Sequence, residues 1–266
     1  MNKTTHRSAT PWLWAFLGTL VGVLTATALF APAAWLAALL SLGSQGRVEI
    51  NEPSGTFWNG SGQLVLSGGA GSRDATTLPG RLHWRLKPTF GLKLRTLIDV
   101  DCCTKQSINV LFTPRLNSFA AQIEASESTW PAALLTGLGA PFNTIDLQAI
   151  LKLSSQTINL KLANKELKIY GQAGLDVIDA STKLSTLRPV GSYRLSFLGT
   201  QDDKPASLNL ETISGSLLLT GSGQYISNRW RFNGEASAAP GFEPALNNFL
   251  DILGRRVGPR SIITVS

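Results

Sequence analysis

The chain has 266 residues, 24 basic against 17 acidic for a net charge of +7, and 43% hydrophobic side chains. That length buries one core, or two. The bases are dispersed, with Arg255-Arg256 the only adjacent pair and no cluster interleaved with aromatics, so nucleic-acid binding is excluded; a basic face beside an anionic membrane surface stays open.

The first element is set by a gap in the charges, which runs from Arg7 to Arg47. Pro11 to Ala31 supplies the roughly 20 apolar residues that cross ~30 Å of hydrocarbon. Inside lipid a lone stretch must satisfy its own backbone, and only a helix does so. Residues 11–42 are therefore predicted as a transmembrane helix with an interfacial segment, anchored by Trp12, Trp14, Phe16, Leu20, Val23 and Phe30. Pro32 ends or kinks that helix. Lys3, His6 and Arg7, with no acid among them, make residues 1–10 a cytoplasmic stub and put residues 47–266 across the bilayer. A cleaved signal peptide competes, with Ala26-Thr27-Ala28 or Ala31-Pro32-Ala33 as its site. Against it stands the apolar run, which continues to Leu42 where about 7–15 residues are usual.

Beyond Arg47 the pattern turns to alternation. Leu82, Trp84 and Leu86 share one face, and Arg81, His83, Arg85 and Lys87 the other, the period of a strand with one dry side. The same alternation recurs over 92–101, 145–153, 157–162, 166–170, 193–198, 207–211 and 229–233. Many short strands at hairpin spacing predict an all-β, antiparallel body over residues 47–266. Two stretches read as covering helices. In Trp130–Gly139, Ser128 or Thr129 is a cap and Pro131 a first helical residue. In Pro240–Arg256, Leu246, Phe249, Leu250 and Leu253 fall on one stripe and Gly254 is the stop.

The two cysteines are neighbours, Cys102-Cys103, and cannot staple distant strands. They form a vicinal disulfide, stay as buried thiols, or link two chains. His83 is the only histidine after the apolar run and lies on the wet face of a strand, so neither a zinc site nor a Ser-His-acid triad is expected. Gly68-Gly69-Ala70-Gly71-Ser72 lacks the Gly-Lys ending of a phosphate cradle and reads as a turn. Asp99 and Asp101 share a strand face without a pocket. No catalytic residue, cofactor or metal is expected, and the chain does not read as an enzyme.

Several strings, in order along the chain, carry a resemblance. Gly55-Thr56-Phe57-Trp58-Asn59-Gly60 follows Arg47-Val48-Glu49-Ile50-Asn51, and Leu78-Pro79-Gly80-Arg81-Leu82-His83-Trp84 comes next. Leu138-Gly139-Ala140-Pro141-Phe142-Asn143-Thr144, Pro189-Val190-Gly191-Ser192-Tyr193-Arg194, Glu211 to Gly215 with Leu217 to Gly223, and Leu253-Gly254-Arg255 complete the set. Together they resemble the type II secretion system protein N family over nearly the whole chain. The resemblance marks Gly55, Trp58, Gly60, Trp84, Gly139, Pro141, Gly191 and Tyr193 as family-motif residues or an interaction surface. Gly55 and Gly60 around Trp58 equally suit a hairpin sealed by a large aromatic. The resemblance implies a non-catalytic, single-pass inner-membrane protein with a periplasmic body, a scaffold or assembly factor for export of folded proteins. Its implied partners are other inner-membrane components of that machinery, the outer-membrane secretin and the phospholipid bilayer. The family is also similar to AsmA-type proteins, whose curved sheets form an apolar trough, so the body is expected as a trough or sandwich. A lipid-binding β-groove is then the alternative function, and an adaptor of another envelope system a third.

Overall fold

The computed structural model describes residues 12–115, 117–140, 142–163, 166–201 and 204–265. The expected stub of residues 1–10 and the motif residue Pro141 lie outside the described residues.

The charge-free stretch is divided in two. Helix α1 (Trp12–Leu29) has 18 residues, a rise of about 27 Å. Helix α2 (Ala33–Gly43) begins after Pro32, which stands at its N-cap. Proline lacks the N–H that a continued helix needs there and restricts the residue before it. The transmembrane helix and interfacial segment expected over 11–42 stand as two helices divided at Pro32, the residue expected to end or kink the run, and among the described residues no helix is long and apolar enough to cross a membrane. Their junction is bonded to the body: Pro32 bridges Thr56.

Strands then follow almost without interruption. They are β1 (Val48–Gly55), β2 (Asn59–Ser67), β3 (Ala75–Thr77), β4 (Leu82–Thr89), β5 (Lys93–Val100), β6 (Ile108–Arg115), β7 (Ser118–Ile123) and β8 (Ser126–Pro131). After a 3-10 helix (Ala132–Leu138) and the short α3 (Phe142–Ile145) come β9 (Gln148–Ser155), β10 (Ile158–Ala163), β11 (Glu166–Tyr170) and β12 (Gln172–Ser181). Then come β13 (Gly191–Leu198), β14 (Ser207–Gly215), β15 (Leu217–Ile226), β16 (Arg229–Ala238), α4 (Glu243–Leu253), β17 (Arg255–Val257) and β18 (Arg260–Val265).

Two nine-stranded antiparallel sheets result. The first runs β1-β2-β4-β5-β6-β7-β10-β11, with β3 beside β2; the second runs β17-β18-β16-β15-β14-β13-β12-β9-β8. They are one ladder folded at a corner. β7 passes into β8, β9 into β10 and β11 into β12 across two residues or fewer, and β10 pairs β7 and β11 just as β9 pairs β8 and β12. Gly171 makes the last crossing at φ +108, where a Cβ would lie 2.4 Å from the Thr157 carbonyl oxygen. No larger residue fits that corner.

Among the described residues three core clusters line the apolar side, the first two sharing Leu82 with one another or with the next, and the third standing apart. Ala33, with Leu36 and Ala37 of α2, packs on Ile50, Trp84 and Leu86. Leu134 of the 3-10 helix packs with Leu78, Val100 and Cys103, joined by Trp130. Leu246, Phe249 and Leu250 of α4, with Leu253 beside them, pack on Val190, Tyr193, Leu217 and Ala236, the stripe predicted from the sequence. The expectation for 130–139 is corrected. Ser128, Thr129 and Trp130 pair with Leu153, Lys152 and Leu151 in β8, so sheet hydrogen bonds displace the helical start and leave only one 3-10 segment.

Tyr193 is the polar member of the third core. Its hydroxyl donates to the Leu217 carbonyl at 3.1 Å, and burial pushes its ionisation far above the ordinary tyrosine range. A raised value means stability that is full below the unfolded tyrosine's pKa of about 10 and falls as pH rises above it. Tyr193→Phe is expected to cost about 1 kcal/mol at neutral pH and to flatten the alkaline loss, read from denaturant midpoints at neutral pH and at high pH.

Candidate functional site

The family-motif residues near the amino-terminal end converge on the place where α1 meets the first sheet. β1 and β2 pair up to Gly55 opposite Gly60, and the hairpin they close holds Phe57 and Trp58, whose rings meet edge to face at 5.3 Å. The Trp58 indole N–H donates to the Ala28 carbonyl at 2.6 Å. Ala28 lies in the last turn of α1, where carbonyls lack helical partners, so this indole caps the helix. The Phe57 N–H donates to the Ala31 carbonyl at 2.7 Å.

Trp84 completes the joint from β4. Its indole N–H donates to the Phe57 carbonyl at 3.0 Å, and the Leu86 N–H donates to the Trp58 carbonyl at 2.7 Å. Gly60 lies opposite Trp84 in the ladder, and a Cβ there would stand 2.5 Å from the Trp84 ring and 2.8 Å from the Ser54 carbonyl. Gly55, Trp58, Gly60 and Trp84 are thus a single junction that fastens the helix to the sheet.

The remaining motif residues lie elsewhere. Gly139 follows the 3-10 helix, near Asp74, whose carboxylate accepts a hydrogen bond from Asn143 Nδ2 at 2.9 Å. Gly191 pairs with Gly215 beside Tyr193 in the third core. The motif strings therefore mark separate structural joints.

The helix held at the junction presents apolar side chains to the outside. Trp12, Trp14 and Phe30 are 77%, 78% and 77% exposed, and Phe16, Leu20 and Val23 are exposed with them. α2 uses one face on the sheet while Trp35, Leu39 and Leu42, three to four residues apart, stay exposed on another. The sequence singled out the α1 residues, but it gave no sign that α2 has two apolar faces.

Elsewhere the chemistry is structural. Cys102 and Cys103 are joined as a vicinal disulfide, settling the three alternatives. The Thr129 N–H donates to the Cys103 carbonyl at 2.8 Å, tying that turn to β8. His83 Nε2 lies 3.3 Å from Asp101 Oδ1 at the surface. Asp176 accepts two hydrogen bonds from Arg194, at 2.7 and 2.8 Å, which hold its carboxyl below the usual range. A groove of about 990 Å³ crosses the corner, lined by Lys105, Glu127, Ser154, Gly174, Ser196 and Asn209 among others; these hydroxyls and amides make no nucleophile–base pair. Among the described residues no group of three or more potential metal ligands is found.

The family model for type II secretion system (T2SS), protein N, matches residues 46–263. No curated protein and no solved structure matches the chain.

The junction predicts its own failure. Gly60→Ala must displace the Trp84 ring or the Ser54 backbone, a cost of about 1–3 kcal/mol for overpacking. It is expected to lower the denaturant midpoint and to speed proteolysis between α1 and β1, and a variant as resistant as the parent would refute the close approach.

Proposed function

The chain belongs to the type II secretion system protein N family, a component of the machinery that exports proteins by that route, and from that premise we propose that it is a non-catalytic scaffold or assembly factor held at the inner membrane by α1, with its sheets in the periplasm. The observation that carries the secretion role is the match over 46–263. The anchoring rests on α1, which carries no charge and whose described side chains are mostly apolar and exposed. Its rise of about 27 Å falls a few ångströms short of an average hydrocarbon core, a mismatch that costs fractions of a kcal/mol per Å. The basic residues before it favour a cytoplasmic amino terminus. In this reading the Trp58 junction transmits the position of the helix to the sheet, and the partners are inner-membrane components of the machinery and the outer-membrane secretin.

Two measurements test it. A strain lacking the chain should strand secreted proteins in the periplasm; unimpaired secretion removes the scaffold role. Leu20→Arg in the full chain places a charge that costs about 2.5–3.5 kcal/mol at mid-membrane, and should move much of the protein from the membrane to the soluble fraction.

A second reading is favoured by the part of the apolar face that no helix covers. Phe112, Ala121, Leu160 and Ile169 stand opposite one another across β6, β7, β10 and β11. Beside this row Phe119 and Leu162 are 41% and 43% exposed. Such a row suits an acyl chain. Native mass spectrometry of the detergent-extracted chain decides: bound phospholipid that Leu160→Asp releases supports the groove, and a lipid-free parent overturns it.

A further inference from the structure

The β4–β5 hairpin breaks local rules at its tip. Thr89 pairs with Lys93, leaving Phe90, Gly91 and Leu92 as the turn. Phe90 is 102% exposed and Leu92 is 85% exposed, so no part of the described chain shields either. Leu92 adopts φ +58, a left-handed position that favours glycine or asparagine over leucine. Behind the tip, Lys87 stands directly opposite Arg95, an arrangement of like charges that weakens a strand pair. No acidic residue occurs from Arg81 to Ile98. Among the described residues Lys87, Lys93 and Arg95 take part in none of the ion pairs. Local consistency is sacrificed where something other than folding is served.

The tip also lies at a telling end of the sheet. The Trp58 indole caps α1, and the Trp58 carbonyl accepts from Leu86 of β4. Phe90 is four residues further along that strand, about 13 Å, in the direction in which the β1–β2 hairpin turns. The end of α1 and the basic, apolar-tipped hairpin therefore lie at the same edge of the body.

We propose that the β4–β5 hairpin is a second membrane contact: Phe90 and Leu92 enter the interface of an anionic phospholipid bilayer, and Lys87, Lys93 and Arg95 meet its phosphates. The partner follows from the chemistry. An apolar pair at a convex tip suits a soft interface, and a rim of unpaired cations suits the negative surface that attracts them. With α1 as one foot and the hairpin as the other, the first sheet is fixed in tilt as well as in position. The inference rests on the anchoring proposed above.

The test uses the full chain in nanodiscs. Phe90→Cys adds a single free thiol for an environment-sensitive fluorophore, and Gln224→Cys on an exposed stretch of the second sheet is the reference. In discs containing phosphatidylglycerol, nitroxide lipids should quench the label at position 90 and leave the reference bright. In pure phosphatidylcholine discs the quenching should weaken. Lys93→Ser should lower the fraction of docked tips relative to undocked ones by about fivefold in the anionic discs, the worth of one cation near such a surface. A label at position 90 as water-exposed as the reference, in a chain that does enter the discs, overturns the hairpin contact and leaves the anchor standing. Equal quenching in both lipids overturns the role of the cations. A chain that does not enter discs at all removes the anchor, and this contact with it.

Discussion

Two indole N–H groups bear the connection between helix and sheet. Trp58 donates to Ala28 and Trp84 donates to Phe57, so the last turn of α1, the first hairpin and the fourth strand share one set of bonds. Each bond satisfies a carbonyl that regular secondary structure leaves free. Trp84 is buried, and its apolar area is worth about 1.5–3 kcal/mol, while the half-buried Trp58 adds less. Gly60 makes room for it, and α2 packs its inner face over the same cluster. Without this joint α1 is a helix attached by a single strand of chain; with it, helix and body move together.

Much of the body was legible because alternation states itself. Leu82–Lys87 reads as a strand and is one, Glu166–Tyr170 matches β11 residue for residue, and the Leu246, Phe249, Leu250 stripe gives α4. What alternation leaves open is which sheet a strand joins. A period of two looks the same on either side of the corner, and the register changes there: Ser155 and Ile158 face the apolar side from β9 and β10 with two residues between them. The helix expected over 130–139 is present only as a 3-10 segment that starts later, at Ala132, for a related reason. Pro131 and the small residues after it favour a helical start, but the chain before it is already paired with β9, and non-local hydrogen bonds win over weak propensity. The charge gap announced an apolar segment, and Pro32 within it announced the place where the helix divides. Nothing in adjacent cysteines distinguishes a ring from two thiols. At the junction, Gly55, Trp58, Gly60 and Trp84 were all singled out, yet the use of the Trp58 indole as a helix cap needs the fold.

The apolar side of the ladder is covered piecemeal. α2, the 3-10 helix and α4 each close one cluster, and none reaches the row through Phe112 and Leu160. A single long ladder cannot bury its whole face against itself until it bends far enough to close, and the corner at Gly171 bends it once. Three local cores and one open stretch are what that geometry permits. The open stretch and the exposed helix are among the places where apolar surface remains for something else to cover.

The order of the ladder has a consequence for how the molecule comes into being. With β7–β8, β9–β10 and β11–β12 each counted as one strand bent at the corner, every strand on the main path from β1 to β16 lies beside its predecessor. As the chain is synthesised, each new strand finds its mate already made, and no hairpin waits on a distant segment. Most loops between paired strands are short, so the loop-closure entropy of most steps stays small, and long unpaired edges are brief. A body of this kind can grow like a zipper from its amino-terminal end, with α4 and the final short strands closing it last.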